Sequence, residues 1–168
     1  MKKLSLALSA VAAAAALVSA PAHALSVGSG WESFVFGGVG SSFSGTYSFT
    51  LSSSALLKVT DAFLSGDQFD VTDFGSSIGA TSAPGSVGDQ IGADYDGAYA
   101  DARWSSGTYL LAAGSHSISG TVLLSPFGSG GAALELTAAP VPEPETYALM
   151  AGGLGLVAFM ARRRKAAR

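Results

Sequence analysis

Through the middle of the chain, apolar side chains recur at every second position. That period constrains the fold more than any other feature. Tyr47, Phe49 and Leu51 alternate with Ser48, Thr50 and Ser52. Leu57 and Val59 alternate with Leu56, Lys58 and Thr60, and Phe69 and Val71 with Asp70 and Thr72. Such a pattern puts one apolar face on an extended strand and gives no stripe to a helix of 3.6 residues per turn. Tyr109 and Leu111 make another short run, Ile118, Val122 and Leu124 line one face of the next, and Leu134 and Leu136 flank Glu135 in a last one. Residues 33–36 offer a first strand. Gly120, inside one run, marks a bulge or a close backbone approach. Ser65-Gly66-Asp67 and Ala113-Gly114-Ser115 have turn chemistry, and residues 127–131 form a Gly/Ser loop. About seven short strands with regular turns predict an all-β domain, a small antiparallel β-sandwich with the jelly roll among its forms. Residues 83–98 are glycine-rich and acidic and read as a loop, and residues 99–104 suit a helical turn or a strand equally.

The two ends differ from the middle. Lys2 and Lys3 precede an uncharged apolar stretch from Leu4 to Ser19, and Ala22-His23-Ala24 follows it. This is the order of a secretory signal with an A-x-A cleavage site at Ala22 and Ala24, so the mature chain is expected to begin at Leu25. At the other end, residues 146–161 are 16 residues without a charge, closed by Arg162, Arg163, Arg164 and Lys165. A helix of that length is roughly 24 Å long, short of the ~30 Å hydrocarbon core. Tyr147 at one edge and snorkelling arginines at the other relieve the mismatch, which predicts a C-terminal transmembrane helix with its basic end in the cytoplasm. Pro142 and Pro144 push their neighbours to extended backbone, a strap between the domain and the helix. The expected division is a signal peptide over 1–24 with its signal helix, an exported domain over 25–139 and a tail over 140–168.

The succession of Pro142-Glu143-Pro144, an apolar run and a basic stop resembles the PEP-CTERM sorting tail of Gram-negative bacteria, over residues 141–165. The resemblance implies export by signal peptidase and the secretion machinery, and a stay in the inner membrane. It then implies processing by exosortase, a membrane protease that recognises the Pro-Glu-Pro strap. It further implies delivery to the cell surface or extracellular matrix, with a structural or adhesive role in exopolysaccharide or biofilm. Residues 59–71 look like a hairpin of small exported β-proteins with such tails, a likeness that bears on fold alone.

Between residues 25 and 139 there are ten acids and two bases, Lys58 and Arg103, a net charge of about −8 against −3 for the whole chain. Nucleic acid is excluded as a partner, because phosphate demands positive charge. With no cysteine, the fold must rest on its core, and thiol nucleophiles are excluded. Asp89, Asp94, Asp96 and Asp101 crowd a glycine-rich segment and form a candidate calcium site, since calcium takes several loop carboxylates. The competing reading is a solvated turn. Asp61, Asp67, Asp70 and Asp73 cluster around the predicted hairpin and read as turn and edge residues that solubilise the sheet, in preference to a second cation site or a carboxylate pair for acid/base work. Trp31, Tyr95, Tyr99 and Trp104 read as core aromatics, with a stacking platform for sugar as the less favoured alternative. His116 reads as a turn residue, and no Gly-x-Ser-x-Gly elbow accompanies it. The expectation is therefore an exported, non-catalytic surface or matrix protein without a cofactor. A carbohydrate- or calcium-binding module is the alternative, and a periplasmic hydrolase the weaker one.

Overall fold

A computed structural model describes residues 22–23, 25–140 and 144–166. Its elements run in the order β1 (Ala22–His23), β2 (Glu32–Phe36), β3 (Thr46–Leu51), β4 (Ala55–Asp61), β5 (Phe63–Leu64), β6 (Gln68–Asp73) and β7 (Ser76–Ala80). They continue with β8 (Gln90–Gly92), α1 (Tyr95–Ala100), β9 (Ser106–Leu111), β10 (Gly114–Leu124), β11 (Gly130–Ala138) and α2 (Pro144–Ala166). A five-stranded sheet has the order β1-β3-β10-β6-β7, and a four-stranded sheet the order β2-β11-β4-β9. Strands β5 and β8 form a small third sheet. All pairings are antiparallel except that of β1 with β3. The all-β class expected from the alternation is what the chain adopts. The expected signal helix lies outside the described residues.

The alternating residues of the two larger sheets meet in one core. Phe69 and Val71 of β6, Ile118 and Val122 of β10 and Tyr47 of β3 come from one sheet, and Leu57, Val59, Leu134 and Leu136 from the other. Full burial of side chains this size stabilises by about 1.5–3 kcal/mol each. The densest contact is aromatic. Phe34 stacks on Phe43 with ring centroids 4.0 Å apart, and Phe69 meets Phe36 at 4.9 Å and Phe43 at 5.6 Å, both edge-on. Phe43 reaches this position because its segment runs antiparallel beside β10, with Ser42 opposite Thr121, and bonds to it, Phe43 N–H donating to the Gly120 carbonyl at 3.1 Å. Gly120 is thus the close approach its place in the strand suggested.

Several expectations need correction. Leu124 does not face the core: the register of β10 against β6 shifts between Val122 and Leu124, and Leu124 is turned outward and exposed. His116 is not in a turn but within β10, opposite Phe49 of β3. Residues 83–98 are not all loop, since β8 and the start of α1 lie there. Residues 130–131, read as loop, already belong to β11. β7 has no counterpart among the expected strands; it follows β6 through Phe74 and Gly75, whose φ angles of 48° and 78° match the two positive values of a type I′ hairpin turn.

A Cβ on Gly120 would press on Cζ of Phe43 and lie 2.7 Å from the carbonyl oxygen of Asp70. The Phe43 ring is held by its stack on Phe34, and the Asp70 oxygen belongs to the β6 backbone, so neither gives way easily. Gly120→Ala is therefore expected to destabilise the domain by about 1–3 kcal/mol, the usual range for overpacking. A urea titration checks this, and the midpoint should fall with an unchanged slope.

Candidate functional site

The tail is built on α2. The helix begins at Pro144, two residues earlier than the apolar run, because proline is well suited to a first helical position, where no amide hydrogen is needed. The extended strap expected there therefore ends before Pro144. Pro142 and Glu143 lie outside the described residues. Glu145 falls in the first turn and Arg162, Arg163, Arg164 and Lys165 in the last turns, charges that complement the helix dipole. The basic stop is thus part of the helix instead of following it. Arg162 is exposed, and the side chains of Arg163, Arg164 and Lys165 lie outside the described ones. Leu149, Met150, Leu154, Leu156, Val157 and Met160 are all more than half exposed, so the described apolar side chains of α2 are uncovered. Among the described residues no helix is long and apolar enough to cross a membrane, contrary to the expected transmembrane helix. The uncharged run is too short by itself, and extending the window takes in charge at either end.

The four candidate calcium ligands are not brought together. Asp94 caps α1, accepting from the Gly97 amide at 3.0 Å, and Asp96 accepts from the Trp31 indole at 2.9 Å. Asp101 pairs with Arg103 at 2.6 Å and Asp89 with the same guanidinium at 3.5 Å. Each carboxylate is engaged in a local bond, and among the described residues no group of three or more acidic, histidine or cysteine side chains is placed to hold a metal. The aromatics divide. Trp104 is buried, with the Arg103 guanidinium 4.9 Å over its ring. Trp31 lies 6.2 Å from Tyr95 and 5.7 Å from Tyr99, the rings tilted by 47° and 52°. Lys58, paired with Glu135 at 3.1 Å, stands 5.4 Å over Tyr99. These contacts fasten α1 to the outer face of β4.

The acidic group at the hairpin is where residue-by-residue reading failed most. Asp61 and Asp67 are buried, not solubilising. Asp61 accepts from the amides of Ala62 at 2.8 Å and of Gly66 and Asp67 at 3.2 Å, and so holds the turn from β4 to β6 closed. Burial pushes the Asp61 carboxyl up to about 8, helped by the neighbouring Asp67 charge and opposed by the three amides. Burial also raises Asp67, with Ser125 pulling it back, although Asp67 Oδ1 and Ser125 Oγ reach no hydrogen bond of full geometry. The signal was present: Leu57, Val59 and Asp61 share one parity.

Asp73 continues the inward parity of β6 in the same way and meets His116. Its Oδ2 lies 2.7 Å from Nδ1 of His116, and Nε2 lies 2.9 Å from the Ala112 carbonyl. Both ring nitrogens face acceptors, which suits the doubly protonated imidazolium. Burial works against that charge, but Asp73 and the carbonyl together raise the His116 value. An imidazole bonded this way has no free lone pair to activate a serine.

Residues 140–165 match the PEP-CTERM protein-sorting motif. The match supports an exported protein that exosortase processes at the membrane. Comparison with curated proteins and with solved structures gave no match.

Asp61 sets the pH dependence of stability. Its folded value lies above the ordinary value, so between about pH 4 and 8 the folded domain holds a proton that the unfolded chain releases. Stability is then greatest on the acid side, falls by about 1.4 kcal/mol per pH unit as pH rises through this window, and levels off above it. His116, also raised, acts in the same direction near neutrality. Urea midpoints at pH 5, 7 and 9 should fall in that order, and Asp61→Asn, which keeps an acceptor and never ionises, should flatten most of the fall.

Proposed function

We propose that this chain is an exported, non-catalytic β-sandwich protein. Exosortase cuts its tail at the inner membrane, leaving the domain on the cell surface or in the extracellular matrix. The observation that carries the reading is the sorting motif over residues 140–165, with helix α2 lying over most of it. A helix whose described apolar side chains are all exposed is at home in lipid, and its short uncharged run can be accommodated by local thinning and by snorkelling of the basic end. A signal peptide over residues 1–24, cut after Ala24, brings the domain to the outer side of that membrane. Ala24 lies outside the described residues, and Ala22 belongs to β1.

The reading as non-catalytic is supported by His116, both of whose nitrogens are occupied, and by the two buried acids, which serve the turn they sit in. A structural or adhesive role among extracellular polysaccharides is what the tail implies for the domain.

In a host that carries exosortase, intact mass should show a protein that begins at Leu25 and has lost its tail. Glu143→Ala should leave a tail-bearing form in the membrane fraction. A Glu143→Ala protein that matures like the wild type would reduce the motif to a linker.

A further inference from the structure

Strand β3 is paired along its whole length on one side only. There β10 runs antiparallel to it from Tyr47 to Leu51. On the other side Thr46 and Tyr47 are paired with Ala22 and His23 of β1, and among the described residues no strand pairs with residues 48–51. A groove between residues 25–27 and 48–53 runs along that edge. The N-terminal residues seated there show that the edge accepts a strand. They are also residues that signal cleavage would remove, so the state of this edge in the mature chain rests on the proposed leader. Leu25, the first residue left behind, is buried in the core, and Gly28 N–H donates to the Leu136 carbonyl at 2.8 Å. Cleavage would therefore take away β1 and leave the rest of the groove in place.

The chain itself bonds to part of the β2 and β9 edges, and the β7 edge carries a register shift against β6. Ser44 bonds to both the carbonyl and the amide of Val35 on β2. Beyond β7, Ser82 N–H donates to the carbonyl of Ser106 on β9, and its hydroxyl accepts from the Ser106 amide. β3 has none of the usual protections of an exposed edge: no lysine, no proline, no inward charge and no register shift against β10. It is also uncharged from Thr46 to Leu51, as are Ser52, Ser53, Ser26 and Val27 around it, in a domain of net charge about −8. A second copy of this domain carries the same net negative charge, but meets no like-charged side chain at this edge.

We propose that β1 caps the β3 edge in the precursor, and that its removal lets two mature copies pair through β3 about a two-fold axis. The five-stranded sheet then becomes one sheet continuous through both copies. Main-chain hydrogen bonds supply the attraction, as in other strand additions, and the two-fold makes the contact self-complementary.

The test compares two chains, each with its tail, in the same detergent. One begins at Leu25, released from a fusion by a site-specific protease, and the other keeps its leader uncut. Each is also made as the Ser48→Lys, Thr50→Lys double variant, at two exposed positions that bring like charges together across the paired edges. Amide hydrogen exchange at residues 48–51 and sedimentation mass are read at low and high concentration. In the chain from Leu25, the outward amides of this stretch should slow by about tenfold or more as a dimer forms. The lysine variant should lose that dependence with an unchanged melting temperature, and the uncut chain should not show it. Concentration-independent exchange in the chain from Leu25, or a dimer that survives both lysines, overturns the proposal. Because that chain is made without signal peptidase, a native protein that retains Met1 would overturn the leader reading alone.

Discussion

Everything in this domain depends on one ring, Phe69, being met from the opposite sheet. With no cysteine to cross-link the chain, the two larger sheets are held by what they bury between them. Phe34 and Phe36 approach Phe69 from the four-stranded sheet, and Phe43 closes the cluster from a segment bridged to β10. Its ring can lie so close only because β10 carries a glycine there. The aromatic cluster, the missing Cβ of Gly120 and the register of β10 are therefore one constraint. A small protein without disulfides needs such dense aromatic packing, since each added edge-on contact contributes about 0.5–1.5 kcal/mol beyond burial.

The inward face continues past the apolar residues and becomes polar at its ends. Val59 is followed by Asp61 in β4, Val71 by Asp73 in β6, and Ile118 is preceded by His116 in β10. At these positions strand parity turns a titratable side chain toward the interior beside a reversal of the chain. Each is met there by donors or acceptors: Asp61 by three turn amides, Asp73 by the Ser117 amide and the imidazole. The acids nearest to the core thus organise turns. The chemistry that Asp61 has available there is proton uptake linked to folding.

What could be read from the sequence came from period and from linear order. The strands with Phe49, Val59, Val71, Ile118 and Leu134 announced themselves, because large apolar residues at alternate positions have few other uses. β7 did not, since Ser76-Ser77-Ile78-Gly79-Ala80 has one large side chain and no alternation; it is specified by the hairpin turn before it and by Asp70, whose carboxylate accepts from Ser77. The exposure of Leu124 depends on a register shift that no local pattern records. The sorting tail was legible because its parts are contiguous. The calcium cluster was misleading for the same reason. Asp94, Asp96 and Asp101 are neighbours in sequence, but a short helix fans them out to a capped amide, an indole and an arginine, and Asp89 is drawn to that same arginine.

The positions of the core residues also bear on how such a chain tolerates losing its ends. The core cluster begins at Leu25 and ends at Leu136. Both cuts of the proposed maturation fall outside that interval, one just before Leu25 and one in the tail. Removing β1 forfeits a two-residue parallel pairing, whose hydrogen bonds are worth about 0.5–1.5 kcal/mol each, while every ring of the Phe69 cluster stays in place. Removing α2 would take away a helix whose described side chains are exposed and lie outside the core cluster. The proposed cuts would therefore act on segments outside the buried core, at the cost of one short strand pairing.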